Sequence, residues 1–272
     1  MKKLTTTLGA VAVLLSSAST LAATIHPETL TIGSDLTYPP YNYTVQGKPA
    51  GFDAEFMQLL AAQLKLKPQV IDTRFASLIL GIKMHKFDVV ASTLYVTPER
   101  AQQVNFIPYM KTGGAFLVKA DSKFAPQKPE DLCGKKVSSI KGGAWIPRLA
   151  KVSTDYCLPK GLGAISVREF PTSPEATQAV LSDAVDVQYE DAAVAKDAQS
   201  KTGNRLKITS TNVIYPVVVG MAFDKDSTAL QASVQGALNK IEQNGSYAKL
   251  LSKYNVQQPD ATEVQKALAG TL

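Results

Sequence analysis

The chain has 272 residues, 45% of them hydrophobic and 19% charged, a balance that excludes a disordered polymer and allows two domains of ordinary size. Its net charge of +6 comes from basic residues scattered along the chain, not gathered in blocks, which argues against a nucleic-acid partner. Two histidines and two cysteines, unclustered, leave no candidate for a transition-metal site.

The chain opens on two lysines, a short apolar run and a series of small residues ending at Ala22-Ala23. That is the pattern of a secretory signal peptide over residues 1–23, cleaved near Ala22 or Ala23. Its apolar core is shorter than the roughly 20 residues that a membrane span needs, so an N-terminal anchor is the weaker reading. No cysteine stands at the cleavage region, and lipid anchoring is not expected. The mature protein is expected to be exported and soluble.

From Leu30 the chain alternates. "LTIGSD" reads as a strand, and "LTYPPYNYTVQGKPAG" as a turn-rich loop. "FDAEFMQLLAAQLKL" repeats its apolar residues with helical period at Phe52, Phe56, Leu59, Leu60 and Leu64. "KPQVIDT" is a strand, "FASLILGIKMHK" a short helix, and "FDVVAST" a strand of the kind buried in a parallel sheet. "TPERAQQVNF" begins another helix, with Thr97 as N-cap and Pro98 at the first helical position. Arg100 then stands in the first turn, where a cation is disfavoured by about 0.3–1 kcal/mol. "GGAFLVKA" is a strand leading out, and the polar, Pro-rich stretch after it marks a boundary.

The alternation then restarts. "KKVSSI" is a strand, "KGGAW" a glycine loop and "IPRLAKVSTDY" a helix. "AISVREF", "VDVQYED", "LKITST" and "IYPVVVGMAF" are further strands, with helices "SPEATQAVLSDA" and "AAVAKDAQS" between them. Two more helical stretches and a polar end complete the chain. The order predicts two α/β units, each with a mainly parallel sheet, whose strand ends face one cleft. In an oxidising compartment Cys133 and Cys157 read as a disulfide, with two buried thiols as the alternative.

"GSDLTYPPYNY", "GFDAEF", "FASLILGIKMHKFDVVAST" and "TPERAQQVNFIPY" follow one another in an order that resembles the amino-acid-binding periplasmic receptors of ABC importers, solute-binding protein family 3. The resemblance spans the mature chain and implies a type II periplasmic-binding-protein fold with a ligand cleft between lobes joined by two hinge strands. Lobe 1 is then residues 24–118 with 216–272, and lobe 2 is residues 119–215. The hinge crossings fall near Leu117–Lys119 and Ile214–Val217.

The resemblance also implies site residues. Arg100 holds a ligand carboxylate, for which a planar guanidinium is suited. Ser92 and Thr93 match polar positions, whereas Tyr95 stands where many members have a small residue; it either lines the ligand or packs beside it. Tyr38 and Phe75 sandwich the ligand. Asp35 either reaches a basic ligand group or ties the first loop. In the loop of lobe 2, Gly142 matches, Gly143 replaces the usual hydroxyl residue, and the amides of Gly143 and Ala144 remain to cap a carboxylate. Trp145 is either a cleft contact or structural. Asp191 takes the α-ammonium, or caps a helix, or does both if its second oxygen is free.

The expected function is capture of an amino acid or related zwitterion by lobe closure, with delivery to a membrane-embedded permease; a monomer without cofactor is expected. Two alternatives stay open on the same fold. One is a periplasmic cyclohexadienyl dehydratase using Glu190 as general acid, and the other is a ligand-sensing partner of a membrane receptor.

Overall fold

A computed structural model describes residues 24–272, so the expected signal peptide at 1–23 lies outside the described residues. β1 (Thr29–Ser34) is buried from Leu30 onward. A loop follows that carries a small hairpin, β2 (Tyr43–Val45) and β3 (Lys48–Ala50), turned by Gln46 and Gly47 at positive φ. At Gly51, φ is 106°, and a Cβ would sit 2.3 Å from the Tyr41 carbonyl oxygen; glycine is required for the chain to enter the next helix. That helix, α1 (Phe52–Leu64), buries Phe52, Phe56 and Leu60, and both phenylalanines stack on Tyr109. β4 (Lys67–Asp72), α2 (Leu78–Lys83) and β5 (Val89–Val90) continue the alternation.

α3 (Pro98–Ala101) is a single turn, shorter than the helix expected from "TPERAQQVNF". It ends because the chain is claimed from Asn105 onward by β6 (Asn105–Lys119), whose first residue pairs with Phe223. The expected strand "GGAFLVKA" is the second half of this long strand. β7 (Lys136–Ile140), α4 (Trp145–Val152), β8 (Ser166–Phe170), α5 (Ser173–Leu181), β9 (Val187–Asp191), α6 (Ala192–Lys201) and β10 (Leu206–Ile208) follow. β11 (Ile214–Phe223) returns, and α7 (Thr228–Gln243), α8 (Ser246–Tyr254) and α9 (Ala261–Ala269) close the chain. The end read as polar is therefore helical. Asp260 caps α9 and Glu263 bonds back to the Asp260 N–H, a capping box that the sequence D-A-T-E spells.

The main sheet runs β4-β1-β5-β11-β6-β9-β7-β8, with β10 added on β6. It is mixed, not mainly parallel. β1 lies parallel to β4 and β5, and β7 parallel to β8 and β9. β6 and β11 are antiparallel to each other and to the strands beside them, because one carries the chain out of the first unit and the other brings it back. β6 changes partners along its length: Asn105–Gly114 lies on β11, Gly114–Leu117 on β9 and Leu117–Lys119 on β10. Two α/β halves bridged by two long strands result. Cys133 and Cys157 are joined within the second half, 24 residues apart in sequence.

Candidate ligand-binding site

Segments that follow the carboxyl ends of β1, β4 and β5 in the first half and of β7 in the second meet at a cavity of about 10 Å³, room for one water-sized sphere. Tyr38, Phe75, Thr93, Tyr95 and Arg100 line it from the first half. Ile140, Gly143, Ala144 and Trp145 line it from the second. Eight of the residues expected from the sequence are thus brought together. Ile140 was missed, although it ends β7, where the strand-end rule places ligands.

Arg100 is positioned by its own short helix. Thr97 caps α3 and its hydroxyl accepts the Arg100 N–H at 3.3 Å. Arg100 as a whole residue is 8% exposed. It donates to the Tyr95 carbonyl at 2.7 Å and to the Gly142 carbonyl, across the cleft, at 3.0 Å. It also lies over the Phe75 ring, 5.5 Å from its centre. Among the described residues it has no carboxylate within ion-pair distance. Burial of this uncompensated cation pulls its pKa down to about 10.

Thr93 turns the chain at positive φ just before Tyr95. A threonine adopts that conformation only when the surroundings impose it. Here Asp53 does so: its Oδ2 accepts the Thr93 N–H at 2.7 Å and the Thr93 hydroxyl at 3.1 Å, while Tyr109 and Asn42 donate to the same carboxylate, each at 2.6 Å. Asp53 belongs to the "GFDAEF" segment that carried the resemblance; its positioning role was not legible from spacing.

Four expected residues stand off the cavity wall. Asp35 is buried and spends its oxygens on the first loop, accepting from the Thr37 hydroxyl at 2.7 Å and the Phe75 N–H at 2.8 Å, and it pairs with Arg74 at 2.9 Å. Its loop-tying reading is the one this geometry matches. Burial raises its pKa, with the Thr37 hydroxyl, Phe75 N–H and Arg74 opposing. Ser92 accepts the Asp35 N–H at 2.9 Å and so fixes the same loop. Gly142 gives its carbonyl to Arg100 and its N–H to Glu169. The Gly143 N–H donates to the Ile140 carbonyl at 3.1 Å and is not free to cap a carboxylate as expected.

Asp191 is the fourth. It is the N-cap of α6, its Oδ1 accepting the Ala193 N–H at 2.9 Å. Its second oxygen is not free: the hydroxyls of Tyr95 and Thr112 both donate to Oδ2 at 2.8 Å. Glu190, beside it, accepts the Tyr38 hydroxyl at 2.6 Å and the Asp191 N–H at 2.8 Å on Oε1. Its Oε2 accepts from Ser173 and from the Gln188 amide. Both acids are fully buried. Burial raises both, Glu190 to about 7, against the hydrogen bonds that favour the charged form. Trp145 lines the cavity, edge-on to Tyr95 at 5.6 Å, and its indole N–H is held by Ser139. Thr112 was missed because its role depends on the register of β6 beside β9.

Among the described residues no group of three or more His, Cys, Asp or Glu could hold a metal ion, and no helix is long and apolar enough to cross a membrane.

A model for bacterial extracellular solute-binding proteins, family 3, matches residues 30–257. The histidine-binding periplasmic protein of Escherichia coli (strain K12) is 25% identical, the match covering 93% of this chain and 97% of that protein. Among solved structures, an ancestral arginine-binding protein bound to arginine superposes with a TM-score of 0.76 at 30% identity, over 84% of this chain and 98% of that one. An ancestral amino-acid-binding protein described as a precursor of cyclohexadienyl dehydratase gives 0.70 at 29% identity, over 84% and 95%.

Proposed function

This chain belongs to the bacterial extracellular solute-binding proteins, family 3, and we propose that it is a periplasmic receptor that captures an amino acid or a related zwitterionic carboxylate between two lobes and delivers it to a membrane-embedded ABC permease. The lobes are residues 24–118 with 216–272, and residues 119–215. The first 23 residues serve as signal peptide, and the mature receptor is a monomer without catalytic activity.

The observation that carries this reading is Arg100: a buried guanidinium on the cavity wall, bonded to two carbonyl oxygens and to no carboxylate. A buried cation is costly unless paired, and a carboxylate ligand supplies the pair with two parallel bonds. Tyr38, Phe75, Tyr95 and Trp145 close around the rest of the ligand. Relatives carry different named ligands, histidine and arginine among them, so no single side chain is transferred to this chain.

A thermal-shift screen over zwitterionic carboxylates tests the reading. A ligand at a thousandfold excess over its Kd should stabilise by about 4 kcal/mol, and Arg100→Ala should abolish that shift. A full shift surviving the substitution removes the carboxylate role. A second reading, an elimination catalyst, draws on the raised pKa of Glu190. Against it, all acceptor positions of Glu190 are occupied and it stands behind Tyr38, off the wall. Incubation with prephenate or arogenate, with product formation as readout, decides between the two.

A further inference from the structure

The cavity wall offers a ligand one cation and four aromatic rings, and no edge of an acid. Asp191, the residue expected to meet an α-ammonium, lies behind Tyr95, with Oδ2 shared by two hydroxyls and Oδ1 given to the helix it caps. Glu190 is filled by four donors. A primary ammonium carries three N–H donors, each of which needs an acceptor once buried. Neither acid turns one toward the cavity.

The rings are what is left to meet a positive group. Tyr38 and Tyr95 both donate their O–H to buried carboxylates. Such a bond polarises the phenol, returns electron density to the ring and makes its face more negative. A cation held by ring faces needs no N–H at all, and is held best when it has none to leave unsatisfied. The Arg100 guanidinium sits against Phe75 without an acidic partner among the described residues.

We propose that the ligand is a small carboxylate whose nitrogen is fully alkylated, a betaine-type zwitterion, and that Tyr95 selects it by covering Asp191. The proposal rests on the carboxylate-receptor reading and names the ligand class of that same site. The carboxylate pairs with Arg100, and the alkylated nitrogen lies among Tyr38, Tyr95 and Trp145. Among the bonds that cross between the halves are Arg100 to the Gly142 carbonyl, Tyr38 to Glu190, and Tyr95 and Thr112 to Asp191. Parting the halves widens the cavity, which in this structure has room for one water-sized sphere; with the ligand seated, its carboxylate replaces the Gly142 carbonyl on Arg100 while the Tyr95–Asp191 bond is kept.

Isothermal titration of the mature protein with three isosteric or parent probes tests the idea: N,N,N-trimethylglycine, glycine, and 3,3-dimethylbutanoate, in which carbon replaces the quaternary nitrogen. Trimethylglycine is expected to bind about tenfold or more tighter than either of the others. In Tyr95→Ser, which uncovers Asp191, the preference for trimethylglycine over glycine should fall by about tenfold or more. Tyr95→Phe, which keeps the ring and removes only the hydroxyl, should fall part of the way, and it serves as the folded comparison if the serine variant melts. Tighter binding of glycine or any common amino acid than of trimethylglycine to the wild type overturns the proposal and leaves the receptor reading standing. Equal binding of the carbon isostere overturns the role given to the cation. No binding by any zwitterion overturns the proposal and the receptor reading together.

Discussion

Arg100 resolves the electrostatic oddity of a cation in the first turn of a helix. α3 is one turn long, so little dipole accumulates, and the guanidinium reaches away to two carbonyl oxygens. Arg100→Lys keeps the charge but loses the planar fork; its ligand affinity should fall by about 10–100-fold, measured by titration with the best ligand of the screen. Glu190 supplies a pH prediction. Its pKa is raised from 4.5 to about 7 by burial, so the folded form keeps its proton after the unfolded chain has lost it. Stability contributed by this group is therefore full below pH 4.5 and is lost as pH climbs toward 7. Glu190→Gln should flatten the fall in melting temperature over that window; an unchanged pH profile removes the assignment. The sequence pointed to the residues that gather here through the family resemblance carried by segments such as "TPER". It did not show that Asp191 would be covered, since that depends on Tyr95 and Thr112 arriving from distant positions in the chain.

At the scale of elements, the helices and most strands follow from apolar period and turn residues. Two readings fail for the same reason: the long strands β6 and β11 are specified by partners more than a hundred residues apart in sequence, such as Asn105 and Phe223. Local pattern makes "TPERAQQVNF" look helical, and only pairing to β11 ends the helix. α9 gives an element-scale prediction. It lies beyond the segment matched by the family model, which stops at residue 257. Ala267 packs with Val96, in the segment leading to Arg100, and with Val218 of β11, and Gly270 abuts Pro98 of α3. Lys111 pairs with Glu263 from the same helix. Deleting residues 260–272 should cost about 2 kcal/mol, a drop of about 4–8 °C in melting temperature. Ligand affinity should weaken with it, because Thr97 and Arg100 lose their backing.

At the scale of the molecule, two halves are held together by two strands and a few cross-cleft bonds. The disulfide closes its loop within the second half, so it stabilises that half without restraining motion between the two. Replacing both Cys133 and Cys157 by serine should cost about 3 kcal/mol by loop closure, seen as a lowered melting temperature, and leave ligand affinity nearly unchanged. Tyr38→Phe, in contrast, removes a bond from lobe to lobe. Above pH 7, where Glu190 is ionised, that bond is to a charged group and is worth about 1.5 kcal/mol or more, so the balance of closed over open forms should shift by about tenfold. Small-angle scattering should then report a larger radius of gyration; an unchanged value means Tyr38–Glu190 is not part of the latch. The two-lobe plan was legible in the restart of the α/β alternation after the Pro-rich boundary. The mixed sheet was not, because strand direction is set by how the chain crosses twice between halves.

The bond from Arg100 to the Gly142 carbonyl also bears on timing. An incoming carboxylate competes for a guanidinium that already has a partner, so capture is a displacement and not a simple docking. In rapid-mixing experiments the observed rate should climb with ligand concentration and then level off, at a ceiling set by how often that carbonyl lets go. Release runs through the same exchange in reverse. The cargo's residence is then timed by one peptide group of the protein itself, whatever the abundance of solute outside.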